Sequence, residues 1–202
     1  TLATISVTET YIINTATADN LTFSGAPASP STPIELGVGW NWIGYSPDIS
    51  IDISTALNNI PDSYATYIKS QSEGFSTYYG DPNDGGYGWQ GTMGHLKPGY
   101  MYMLQMDASD VLTYPSGTSV ASRLGSFDNA IEPDFDYRKF EHNGSVTAEI
   151  DIDDIIITEH DKLFAYINGE KRGEVSSMLF NPTGSYIFPV MIYSSLIDGE
   201  KV

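Results

Sequence analysis

Apolar residues recur at every second position over most of this chain, in short runs bounded by Gly, Pro, Asn and Asp. That period is the one a half-buried strand needs, because successive side chains point to opposite faces of a sheet. The predicted class is all-β: two β-sandwich-like domains in tandem, with one short helix in the first, preceded by a detachable N-terminal strand. Thr4 to Ile13 is that strand; it is rich in β-branched residues, and Ile5, Val7, Tyr11 and Ile13 share one face. A connector follows to residue 33, where Pro27, Pro30 and Pro33 have no N–H to give a ladder and favour extended backbone.

An aromatic-rich module is expected over 34–115. It opens with Ile34-Glu35-Leu36-Gly37-Val38-Gly39-Trp40-Asn41-Trp42-Ile43-Gly44-Tyr45, in which Trp40 and Trp42 lie two apart and share a strand face. The helical candidate is Ser50 to Ile60: Ile53, Leu57 and Ile60 recur at helical spacing, Ser50 or Ser54 can cap, and Pro61 ends it. Strands are expected again at Tyr64 to Ser70, Phe75 to Tyr79, Tyr100 to Met106 and Val111 to Tyr114. A polar linker at 116–130 leads to the second domain, 131–202, with strands near Ser145 to Ile152, Leu163 to Ile167, Arg172 to Ser176 and Tyr186 to Tyr193. Asn168-Gly169 is the strongest hairpin signal in the chain, since a type I′ turn needs positive φ at both central residues.

Charge narrows the partners. The 26 acidic and 9 basic residues among 202 give a formal charge of −17, and no Lys or Arg precedes Lys69. A phosphate backbone or an anionic lipid surface would repel such a chain, so nucleic-acid partners are excluded. Nor does any apolar run approach the roughly 18 residues of a membrane-spanning helix, and no membrane insertion is expected. With no Cys, disulfides, thiolate metal sites and thiol catalysis drop out together. The chain opens Thr1-Leu2-Ala3 and stops at Val202 just as an apolar segment begins, which reads as a piece of something longer with the second domain truncated.

Catalytic patterns are weak. Gly86-Tyr87-Gly88-Trp89-Gln90-Gly91 satisfies G-x-G-x-x-G, but turn residues precede it and Pro98-Gly99 follows, so the strand and helix that would cradle a pyrophosphate are missing. His95, His142 and His160 are scattered without zinc-ligand spacing, and no Ser sits in a G-x-S-x-G elbow. A glycoside hydrolase needs only two carboxylates, which carry no spacing signature, and ranks third among the readings. No catalytic residue is assigned, and the chain is read as no enzyme.

Two acidic clusters suit calcium as a cofactor: Asp81, Asn83 and Asp84 in a Gly-rich turn, and Asp151, Asp153 and Asp154 further on. The plainer reading is that both are solvated turns and strand ends that keep sheet edges unattractive. Aromatic residues crowd the first module. For Trp40 and Trp42 core is the favoured reading, because buried rings are what a disulfide-free module of this size lacks otherwise. Trp89, between Gly88 and Gly91, is the candidate ligand-stacking residue, with Tyr87 and Tyr79 beside it.

A resemblance rests on these same residues. Leu36-x-x-Gly39-Trp40-Asn41-Trp42-Ile43, Ile68-Lys69-Ser70-Gln71 with Phe75 and Tyr78, Gly88-Trp89-x-Gly91, Leu96-Lys97-Pro98-Gly99-Tyr100-Met101-Tyr102 and Thr113-Tyr114-Pro115 look like a repeat module of long secreted proteins of the Bacteroidota. Val146-Thr147-Ala148, Asp161-Lys162-Leu163-Phe164-Ala165-Tyr166, Gly169-Glu170-Lys171-Arg172-Gly173, Pro189-Val190-Met191-Ile192-Tyr193 and Gly199-Glu200 are similar to the domain that often follows it. That domain commonly carries Cys where Lys171 stands, so no redox role transfers. The resemblance implies export by the type IX route, display at the cell surface, and no catalytic residue.

The expected function is therefore a non-catalytic extracellular structural or adhesion module of a bacterial surface protein or filament. Its partners would be other copies of itself, neighbouring domains or surface glycans, and the first strand could polymerise it by adding to the next subunit's sheet. The alternative is a carbohydrate-binding module of a secreted polysaccharide-processing protein.

Overall fold

A computed structural model describes residues 11, 17, 29–116, 135–153 and 155–195. Among them the protein is all-β, with fourteen strands and one short helix. In chain order the strands are β1 (Ile34–Leu36), β2 (Gly39–Gly44), β3 (Ile51–Asp52), β4 (Ala65–Ser70), β5 (Gly74–Tyr78), β6 (Trp89–Gly91) and β7 (His95–Leu96). They continue with β8 (Met101–Met106), β9 (Asp110–Leu112), β10 (His142–Glu149), β11 (Lys162–Ile167), β12 (Glu170–Ser176), β13 (Met178–Phe180) and β14 (Ser185–Ser194). The chain divides into two compact units, residues up to Ser70 with Gly94–Arg123, and Gln71–Met93 with Leu124–Val202. The segment Gln71–Met93, which sequence reading places in the aromatic module, thus clusters with the second unit. Of the proposed assembly strand, Ile5, Val7 and Ile13 lie outside the described residues, and Tyr11 is half-buried.

In the first unit β8 lies between β2 and β4, antiparallel to both. Its alternate residues Tyr102, Leu104 and Met106 are buried with Ile43, Ala65 and Ile68 of the flanking strands. The pairs β1–β9 and β3–β7 add Ile34, Leu36, Leu112, Ile51 and Leu96 to the same unit's core. Asn41 ties the β1–β2 turn: its Nδ2 donates to the Gly37 and Gly39 carbonyls, and its Oδ1 accepts from the Gly37 N–H at 2.9 Å.

The helix α1 spans only Ile53–Ala56, shorter than the expected Ser50 to Ile60. Ile51 and Asp52 are taken up by pairing with Leu96 and His95, so Asp52, not Ser50 or Ser54, caps it by accepting from the Thr55 N–H at 2.9 Å. Beyond Ala56 the backbone tightens into turns before Pro61, and Asn59 is drawn to β9, donating to the Val111 carbonyl at 2.7 Å.

The second unit is built on β14, flanked by β10 and β13. Ile187 to Met191 are buried without a break, so both faces of this strand are covered. Pairing with β13 covers Ser185–Ile187 and stops short of Pro189, which has no N–H to give a ladder. The β11–β12 hairpin turns at Asn168 (φ 52°) and Gly169 (φ 83°), the two positive values expected for Asn-Gly. A side chain at Gly173 would stand 2.5 Å from the Met191 carbonyl oxygen, so glycine is what lets the hairpin approach β14. Arg172, 2% exposed, lies 4.2 Å from the Phe140 ring centroid and pairs with Glu170 at 3.0 Å.

Candidate functional site

The principal correction to the sequence reading concerns Trp40 and Trp42. They do share a strand face, but it is the outer one: Trp40 is 46% exposed and Trp42 44%. The inner positions of β2 are held by Asn41, which ties the turn, and Ile43, which is fully buried. Register across the sheet then fixes the neighbours. Trp40 stands opposite Gln105, which stands opposite Tyr67; Trp42 stands opposite Met103, which stands opposite Lys69. Paired residues point to one side, so these six side chains form a single face over three hydrogen-bonded strands.

Tyr67 joins that face because β4 is bulged. Ala65 pairs with Met106 and Tyr67 with Gln105, leaving Thr66 as the extra residue between them. Strict alternation would put Tyr67 on the buried side with Ala65; the additional residue turns it outward. The Tyr67 ring meets Trp40 edge to face, 5.6 Å between centroids and 85° between planes, and the Lys69 ammonium lies 5.3 Å from the Trp40 ring centroid. Partial burial lowers the Lys69 pKa from its ordinary value. The face presents two indoles, a phenol, a thioether, an amide and one cation, and none of its six residues is a carboxylate.

The expected stacking group lies in the second unit, around the β5–β6 connection. Tyr78 pairs with Trp89, and their rings pack at 5.3 Å. Tyr79, the residue just after β5, packs instead edge to face on Phe180 at 5.0 Å. Trp89 and Tyr79 are therefore not brought onto one surface, whereas Tyr87 is exposed at the loop end, its carbonyl accepting from Gln90 Nε2 at 2.7 Å. No helix follows the G-x-G-x-x-G run: Trp89–Gly91 is strand, and a side chain at Gly91 would fall 2.2 Å from the Phe75 carbonyl.

The acidic turn is organised from within. Asp81 Oδ1 accepts from the Asn83 N–H at 2.8 Å and from Asn83 Nδ2 at 3.0 Å, capping a short 3₁₀ turn over Pro82–Asp84. Asp84, Asp151 and Asp153 are exposed, and Asp154 lies outside the described residues. Among the described residues no three His, Cys, Asp or Glu side chains are grouped so as to hold a metal ion. No helix among the described residues is long and apolar enough to cross a membrane.

The sequence matches no protein-family model, and neither a curated protein nor a solved structure matches it significantly.

The outward rings were missed because a Trp pair at i, i+2 marks a shared face without saying which. The informative signal lay in the partner strand. In Met101-Tyr102-Met103-Leu104-Gln105-Met106 both parities are largely apolar, but Gln105 marks the wet one, and the register puts Trp40 opposite it.

Proposed function

We propose that this chain is a non-catalytic extracellular module of a bacterial surface protein, of the kind found in long type IX-exported proteins of the Bacteroidota, and that it works by adhesion. The observation that carries the reading is the outward face of Trp40, Trp42 and Tyr67. Large rings held in solvent forgo the burial that would stabilise a module of this size, and rigid aromatic rings with polar tips are what binding surfaces use. A net charge of −17 keeps such a surface soluble and repels anionic partners.

Beads carrying the chain test it. They are expected to adhere to at least one of three coated surfaces, mucin, plant cell-wall polysaccharide and collagen, and beads carrying the Trp40→Ala/Trp42→Ala variant are expected to be released. Equal adhesion of both bead types to all three surfaces overturns the reading. Self-assembly by the first strand is tested separately: deleting Thr1 to Pro33 is expected to abolish association measured by light scattering, and an unchanged particle size counts against it.

A further inference from the structure

We infer that the ligand of the Trp40–Trp42 face is an uncharged polysaccharide chain lying along β2, with one sugar ring stacked on each indole and Gln105 and Lys69 donating hydrogen bonds to its hydroxyl groups. This rests on the adhesive reading above and names the chemistry that reading leaves open.

Three observations support a neutral glycan over other occupants. The first is shape. Trp40 and Trp42 project from the same side of one strand, their Cα atoms about 7 Å apart, and the strand is hydrogen-bonded along its length to β8. Such rings form a linear, pre-organised track, suited to a repeating polymer with apolar ring faces and polar edges. The T-shaped contact with Tyr67 and the Lys69 ammonium restrict how the Trp40 indole can turn, so little ordering of that ring remains to be done on binding.

The second is charge. A polyanion approaching this chain meets a formal −17 and, on the face itself, only Lys69. One half-buried cation does not offset that repulsion. A cationic ligand would be drawn by the net charge, but on the face itself it would meet Lys69 and no carboxylate among the six residues to pair with. An uncharged chain avoids both costs. Gln105 can both donate and accept, and the Lys69 ammonium donates, which matches the two-way hydrogen bonding of sugar hydroxyls.

The third is size. The exposed parts of the two indoles amount to roughly 200 Å², taking about 150–250 Å² per ring. A stable protein–protein contact covers about 800 Å² on each partner. The two indoles alone supply a quarter of that, a scale that suits a ribbon a single sugar ring wide.

Affinity electrophoresis of the full chain through gels containing glucomannan, xyloglucan or mixed-linkage β-glucan tests the proposal, with alginate and heparin as polyanions and gelatin as a protein probe. At least one neutral glycan is expected to retard the chain. Trp40→Ala and Trp42→Ala are each expected to weaken the interaction about tenfold, while Trp42→Phe retains most of it, and unchanged circular dichroism shows that the variants fold. Retardation by alginate or heparin alone overturns the proposal. So does retardation by gelatin alone, and in that case the adhesive reading survives with a protein partner. If no gel retards the chain the neutral-glycan proposal falls, and the adhesive reading falls with it when the beads above also fail to adhere.

Discussion

The indole of Trp40 and the phenol of Tyr67 meet edge to face at 5.6 Å, from strands on either side of β8. That contact exists only because Thr66 is an extra residue in β4, and it holds in solvent a ring whose composition suggests core. Tyr67→Ala is expected to lower stability by about 1 kcal/mol, the worth of an aromatic pair. Urea unfolding followed by circular dichroism would measure it, and Trp40, released from its edge contact, should become more accessible to acrylamide quenching.

Tyr114 and Tyr45 predict how the first unit responds to base. Their rings pack at 5.0 Å, and Tyr114 donates to the Gly44 carbonyl at 3.0 Å. Burial, then neighbouring phenols, pushes both hydroxyls well above the ordinary 10.0. The folded chain therefore keeps protons that the unfolded chain releases, and stability falls as pH rises beyond 10. A spectrophotometric titration should show a group of tyrosines that ionise only with unfolding. Tyr114→Phe should remove part of that alkaline sensitivity while costing about 1 kcal/mol at neutral pH for the lost hydrogen bond.

Glu174 predicts the opposite limb in the second unit. A hydrogen bond from Lys162 at 2.9 Å, then one from Lys171 at 3.2 Å, holds its carboxyl below the ordinary 4.5. Unfolded Glu174 takes up a proton at higher pH than folded Glu174 does. Its contribution is thus complete above pH 4.5 and is lost as pH falls through the lower folded value. Glu174→Gln should flatten that part of the acid unfolding curve, read from melting temperature against pH.

Gly173 tests the approach of β12 to β14. Any side chain there meets the Met191 carbonyl oxygen at 2.5 Å and Val190 Cγ2 at 3.0 Å, both in a fully covered strand. Gly173→Val should destabilise the chain by about 2–3 kcal/mol, in the range of overpacked cores. Gly169→Ala, in open space but at positive φ, should cost only about 1 kcal/mol. Comparable losses for the two would contradict the packing described.

Much of the fold was legible in the sequence, and the reason is local chemistry. Asn168-Gly169 fixed its own turn, and the period-two runs placed β4, β5, β8, β11 and β14 close to their true bounds, because both signals act over a few residues. The helix was overlong because its first residues were claimed by His95 and Leu96, a partner far along the chain. The short β13 escaped notice, since Met178-Leu179-Phe180 shows no alternation. The site was least legible. Which side of β2 faces water depends on the register with β8, and where Tyr67 points depends on a bulge; neither is written in spacing alone.

The central claim is that Trp40 and Trp42, and not Trp89, form the working surface. The chain has three tryptophans, so a ¹⁵N-labelled sample should give three indole N–H resonances, assignable by single Trp→Phe variants. Titration with a soluble neutral glucan or mannan oligosaccharide should shift the Trp40 and Trp42 signals together and leave Trp89 in place. A shift confined to Trp89, or none with any neutral oligosaccharide, would contradict the account.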